Sequence, residues 1–294
     1  MTLSDIQTKT GKFTIAACDQ RASLATMLGV DPMSESGKST LERVKTVFME
    51  TFSPICSGVL VDPEFGMPSL EKKGRSGLLL TLEKPPYSSF NPDDIPDLYD
   101  DGLYGKVGPF AGNGTAAAKI LLWYNPLSKN AELKQQLIQE LYKQAQSAHT
   151  PFLLEILLHP LEKKFRSSEE AFKLQLETVH TFANQCDVLK LEAPALPSEP
   201  LDIPAFEKRC TQITQEMKKH SGTKTTPWIL LTRGTAYERF LLALQLAMKH
   251  GASGFAAGRA VWKEFAEFPT EEEQFKFIRT VARKRMEKLI EIVV

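Results

Sequence analysis

The 294-residue chain is poor in cysteine: Cys18, Cys56, Cys186 and Cys210 are its only thiols, and none is paired in a C-x-x-C spacing. This excludes a disulfide scaffold, supplies no zinc or redox motif, and points to a reducing, cytoplasmic setting. An excess of charge is also missing, with 36 Lys+Arg against 36 Asp+Glu. Without a basic surplus there is no broad attraction to nucleic acid or to an anionic membrane, so any anion site must be local. The opening residues, MTLSDIQTKTGK, lack the apolar core of a signal peptide, and no apolar run approaches the ~18 residues of a membrane span. G-x-G-x-x-G, P-loop, G-x-S-x-G and H-E-x-x-H motifs are absent, which argues against nucleotide binding, serine hydrolysis and zinc proteolysis.

What the chain does contain is a series of short apolar runs. Eight occur, at 13–18, 58–61, 77–82, 118–124, 152–158, 188–193, 228–231 and 254–257. Their near-continuous apolarity suits strands buried on both faces, as in a parallel sheet. Amphipathic stretches lie between most of them, at about 38–53, 131–149, 168–185, 204–220 and 236–250, and a closing helix is expected at about 270–291. In the first of these, Leu41, Val44, Val47, Phe48 and Phe52 recur at steps of three and four, the stripe of a helix packed on a sheet. The series predicts an α/β fold, a (β/α)8 TIM barrel forming one domain over 1–294. Residues 84–116, rich in Pro, Gly and Asp, break the rhythm and predict a long loop. The aspartates Asp93, Asp94, Asp97, Asp100 and Asp101 fit no EF-hand spacing and read as a solvated loop rather than a calcium site.

Barrel active sites sit at the C-terminal ends of the strands, so ionisable residues within or just after the apolar runs become candidates. Asp19, Lys119, Glu155, Lys190, Arg233 and Arg259 qualify, each from a different run. Lys190, between Leu189 and Leu191, would lose hydration on burial, which favours the neutral, nucleophilic amine, particularly if Lys119 lies nearby. Alternatively it is a structural lysine paired with Glu192. Burial of Glu155 is expected to raise its pKa and make it a proton shuttle, with His159 on the same face; the other reading is a carboxylate neutralised by Lys119 or Lys190. Arg233 and Arg259 flank Gly234 and Gly258 after the last two runs, where barrels bind phosphate. Arg233 has the further option of capping a helix or pairing with Glu238. Trp123, Tyr124 and Trp262 are expected to be packing residues, and the cysteines not to be nucleophiles.

The segments ACDQR (17–21), LLLTLEK (78–84), AKILLWY (118–124), LLEI (153–156), DVLKLEAP (187–194), TPWILLTRG (226–234) and GASGFAAGRAVW (251–262) resemble class I aldolases of the tagatose 1,6-bisphosphate aldolase and sulfofructosephosphate aldolase family. The last two look closer to the sulfofructosephosphate branch. The resemblance implies a Schiff-base lysine at Lys190, a proton shuttle at Glu155 and an assisting lysine at Lys119. It implies substrate contacts from Asp19, Gln20 and Arg21, and a phosphate site at Thr232, Gly234, Gly258 and Arg259. Arg233 departs from the family's usual small residue, and AGNGTAA replaces a charged helix before the fourth run. The implied reaction is cleavage of a ketose phosphate to dihydroxyacetone phosphate and an aldehyde, with no cofactor and no metal, in a cytoplasmic homo-oligomer. Transaldolase-like transfer and a noncatalytic sugar-phosphate-binding barrel are the rival readings.

Overall fold

The computed structural model describes residues 2–86, 90–99, 116–219 and 225–294. Its eight strands are β1 (Phe13–Ala17), β2 (Gly58–Val61), β3 (Gly77–Thr81), β4 (Ala116–Tyr124), β5 (Phe152–Leu158), β6 (Val188–Leu191), β7 (Trp228–Leu231) and β8 (Gly254–Ala257). They close into a barrel in sequence order, and β1 also pairs in parallel with β8. The (β/α)8 architecture expected from the apolar runs is therefore present.

Alternation along the strands separates two apolar layers. Phe13, Ile15, Ala17, Leu60, Leu79, Ala117, Leu153, Val188, Ile229 and Ala256 form the cluster enclosed by the barrel. Their neighbours, among them Ala16, Val59, Leu78, Ala118, Leu154, Leu189, Leu230 and Phe255, belong to the layer between sheet and helices. A short 3-10 turn, Leu3–Ile6, adds Ile6 to the enclosed layer. This works because residue 77 is glycine: a Cβ there would lie 2.2 Å from the Asp5 carbonyl oxygen and 2.6 Å from Ile6 Cγ2.

The helical shell differs from expectation in detail. The helix Glu35–Phe52 starts three residues early because Ser34 Oγ accepts a hydrogen bond from Gly37 N at 3.1 Å and caps it. A helix at Ala22–Leu28, ended by Gly29 in the left-handed conformation, was too short to leave a readable stripe. The β2–β3 connection carries a 3-10 turn, Met67–Lys72. The closing helix consists of Glu271–Phe277 and Arg283–Val293 joined by a π-turn at Ile278–Ala282. Residue 220, where the expected 204–220 helix was to end, lies outside the described residues, as do 87–89 and 100–115 of the expected loop, including Asp100 and Asp101. The described part of that loop folds back on β3: Glu83 bridges Leu98, and Lys84 N donates to Asp97 O at 2.8 Å. Among the described residues no helix is long and apolar enough to cross a membrane.

Candidate active site

The parity that turns Ala17, Leu79, Ala117, Leu153 and Val188 inward also carries Asp19, Glu83, Lys119, Glu155 and Lys190 to the inside of the barrel's C-terminal mouth. They border a cavity of about 320 Å³. Every site residue expected from the sequence lines it except Gly234, which sits directly behind Arg259.

Lys119 is the hub. Its Nζ lies 2.8 Å from Asp19 Oδ2, 2.9 Å from Glu83 Oε1 and 3.0 Å from Glu155 Oε2. Burial alone would lower its pKa, but Asp19, Glu155 and Glu83 together outweigh burial and hold the ammonium well above the ordinary lysine value. Lys190 Nζ approaches the other oxygen of Glu155 at 2.8 Å. One carboxylate thus bridges two lysines, each on the strand beside its own, as the registers Leu121↔Glu155 and Glu155↔Lys190 require.

This arrangement decides between the alternatives. Glu155 is a carboxylate neutralised by both Lys119 and Lys190: burial pushes its pKa up, but the two lysines overcome that push and leave it below the ordinary carboxylate value, against the expected rise. Lys119 lies near Lys190, the two sharing the Glu155 carboxylate. Lys190 pairs with Glu155 and not with Glu192. Asp19 follows the pattern of Glu155: burial raises it, and Lys119 and Lys190 bring it well below the ordinary range.

Glu83 escaped notice in the sequence, although it lies on the inward parity of Leu79 and Thr81. Its Oε2 accepts from Leu121 N at 3.0 Å, and Arg21 Nη1 donates to its main-chain oxygen at 2.7 Å and to Tyr99 Oη at 2.9 Å. The Arg21 guanidinium is thus committed to holding the end of β3. Gln20 Nε2 donates to Asp19 Oδ1 at 3.2 Å, while its Oε1 is buried with no partner among the described residues.

Glu192, expected as an alternative partner for Lys190, takes another role. Its carboxylate accepts from Leu158 N at 2.7 Å and from Arg233 Nη1, so Arg233 pairs here and not with Glu238. The Arg233 guanidinium also lies 5.7 Å from the centre of the Trp123 ring. Trp123 faces the cavity, contrary to the packing role expected of it, whereas Tyr124 and Trp262 are fully buried. Arg233 adopts φ 44°, in the left-handed region, and Gly234 follows at φ 69°. His159 does not line the cavity; it is buried, with Nδ1 3.3 Å from Pro160 O. The four cysteines are buried, and burial pushes the thiols up.

Burial, only partly opposed by Arg233, raises Glu192 to about 6. On acidification from pH 7 to 5, Glu192 becomes neutral and leaves the Arg233 charge uncompensated at the mouth. Sulfate, which keeps its charge over this range, should bind roughly 5-fold more tightly at pH 5, about 1 kcal/mol. Calorimetry on wild type and Glu192→Gln checks this: the pH dependence should disappear in the variant.

At the β7 and β8 ends, Thr235 N donates to Thr232 O at 3.0 Å, closing a turn that brings Gly234 beside Arg259. Lys263 Nζ donates to Gly234 O at 2.9 Å and holds the turn down. Arg259 opens a short helix directly after Gly258 and borders the cavity, with no carboxylate in ion-pair range among the described residues.

A cluster of ionised groups at the C-terminal mouth of a β/α barrel is the hallmark of a barrel enzyme, with its chemistry at the strand ends. Over residues 13–264 the chain matches the DeoC/LacD family of aldolases, and it belongs to that family. Relatives include tagatose 1,6-diphosphate aldolase 2 of Streptococcus mutans, 28% identical over 278 residues covering 88% of this chain and 82% of the relative. The protein of the same name from Enterococcus faecalis is 28% identical over 313 residues, covering 98% and 91%. The fold is shared with fructose-bisphosphate aldolase from Plasmodium falciparum, with TM-score 0.72, 14% identity and coverage of 99% and 92%. It is also shared with a Schiff base-forming fructose-1,6-bisphosphate aldolase, with TM-score 0.59, 16% identity and coverage of 95% and 96%.

Proposed function

We propose that this aldolase works through a Schiff base on Lys190, without a metal, and cleaves a ketose phosphate to dihydroxyacetone phosphate and an aldehyde. The observation that carries the reading is the 2.8 Å contact between Lys190 Nζ and Glu155 Oε1 at the cavity wall. Glu155 is positioned to take the proton that Lys190 must lose before attacking the ketose C2 carbonyl, and to return it to the departing hydroxyl as water leaves. The resulting iminium accepts the electron pair of the C3–C4 bond while a base removes the C4 hydroxyl proton and the aldehyde departs. Protonation of the enamine at C3 and hydrolysis of the iminium then release dihydroxyacetone phosphate. Lys119, held charged by three carboxylates, serves as a hydrogen-bond donor to oxygen atoms that gain negative charge, and not as a base. Asp19 and the unpartnered Gln20 Oε1 are suited to substrate hydroxyls.

The phosphate of the dihydroxyacetone half is assigned to Arg259 and the main chain around Thr232, Gly234 and Gly258. Arg259→Ala should raise KM by roughly 10- to 100-fold, the equivalent of about 1.5–3 kcal/mol for a charged hydrogen bond, with a smaller effect on kcat. Steady-state kinetics in the cleavage direction check this. The relatives' names favour a tagatose 1,6-bisphosphate type of substrate, whereas the GASGFAAGRAVW and TPWILLTRG segments favour the 6-deoxy-6-sulfofructose 1-phosphate type. The test of the common mechanism is borohydride reduction with dihydroxyacetone phosphate, followed by peptide mass spectrometry. An adduct on Lys190 is expected; saturable binding of dihydroxyacetone phosphate without an adduct would overturn the Schiff-base reading.

A further inference from the structure

Behind the β1 end lies a second buried ion pair that the mechanism above does not use. Lys45, on the helix Glu35–Phe52, and Asp62, just after β2, are both fully buried, with Lys45 Nζ 2.5 Å from Asp62 Oδ1. The same Nζ donates to Cys18 O at 2.7 Å and to Gln20 O at 2.8 Å. Asp62 is itself fixed, its Oδ2 accepting from Phe65 N at 2.7 Å. The ammonium thus donates to the main-chain oxygens on either side of Asp19 while its charge is held by the ion pair to Asp62.

The position of this bracket matters because β1 ends at Ala17. Cys18 N still donates to Leu60 O of β2 at 2.8 Å, but beyond it the chain leaves the sheet and turns toward the helix Ala22–Leu28, so the buried carbonyls from Cys18 on need donors from elsewhere. Asp19 nevertheless places Oδ2 2.8 Å from Lys119 Nζ at the cavity wall. We propose that Lys45, anchored by Asp62, is a positioning residue for Asp19, clamping the main chain on both sides of it so that its carboxylate meets Lys119 and the substrate. The proposal rests on the aldolase reading of the cavity. Because Lys45 and Asp62 compensate each other in charge, the pair sets the geometry of Asp19 without changing the charge balance of the mouth.

The test is a mutant cycle on Lys45→Met/Asp62→Asn, which removes both charges and retains an acceptor for Phe65 N. Alone, this double variant should lower kcat roughly 10- to 100-fold, the scale of an ångström-level misplacement, and leave KM for the phosphorylated substrate within about 3-fold. Combined with Asp19→Ala, it should cost no more than Asp19→Ala alone, because the clamp acts through a side chain already removed. Losses that multiply in the combined variant, or a double variant with wild-type kcat, would overturn the proposal. Thermal melts establish which variants are folded. If the double variant is not, Lys45→Leu/Asp62→Ser, which likewise removes the donors to the Cys18 and Gln20 oxygens and keeps a side-chain acceptor for Phe65 N, replaces it in the cycle under the same criteria. Borohydride trapping on each protein separates the two levels of inference. No adduct on wild-type Lys190 sinks the catalytic reading; an adduct in every variant with multiplicative kcat losses sinks the clamp alone.

Discussion

Lys190→Ala should turn over at least about 10⁴-fold more slowly than wild type, a loss equivalent to roughly 5.5 kcal/mol in the barrier, and should yield no adduct on borohydride reduction. The effect is large because the other lysine of the buried cluster is not placed to substitute. Lys119, the nearest lysine of the cluster, has its Nζ surrounded by Asp19, Glu83 and Glu155, which favour its charged, non-nucleophilic form. The substitution should leave the fold intact, because Glu155 keeps its 3.0 Å contact with Lys119 and the vacated space opens onto the cavity. Steady-state kinetics, with the trapped fraction measured by mass spectrometry, check both parts. Activity above about 1% of wild type in the folded variant would exclude an obligatory covalent intermediate on this side chain.

Much of the fold was legible because a barrel strand is buried on both faces and so appears as an unbroken apolar run. The same physics made Lys119, Glu155 and Lys190 visible, since a charge inside such a run needs an explanation. Glu83 was less visible because it follows its run instead of interrupting it. Extending the alternation Leu79, Thr81, Glu83 inward would have found it, just as Lys119, Leu121, Trp123 would have turned Trp123 toward the cavity. The Glu192–Arg233 pair spans 41 residues and depends on how two loops close beyond β6 and β7, which no local pattern encodes. The direction of the Glu155 shift, that of a carboxylate neutralised by Lys119 and Lys190 instead of one raised by burial, was harder to choose for a related reason. Burial is apparent from one strand, but the two ammonium groups that reverse its effect come from the strands on either side.

Lys119→Met should have the largest effect on stability, because it removes the cation shared by three carboxylates while leaving all three at the cavity wall. The partners that remain are Lys190 for Glu155, at 2.8 Å, and Arg21 for Glu83, at 3.7 Å; Asp19 loses its ion-pair partner. Breaking a buried pair on one side costs about 3–5 kcal/mol, and the lower end is expected here because water in the cavity can rehydrate the carboxylates. The response to pH is the sharper test. In wild type, Asp19 and Glu155 are held below their ordinary values, so their contribution to stability is complete above about pH 5 and is lost as the pH falls through the folded values. In the variant, burial and mutual repulsion are no longer outweighed for Asp19, and its folded value should rise above the unfolded one. The folded state then gains from protonation, so stability should increase between pH 7 and 5 by more than the gain that Glu192, raised to about 6, gives both proteins over that range. Urea unfolding at the two pH values measures the difference. Parallel behaviour of the two proteins would mean that Lys119 does not hold this cluster together.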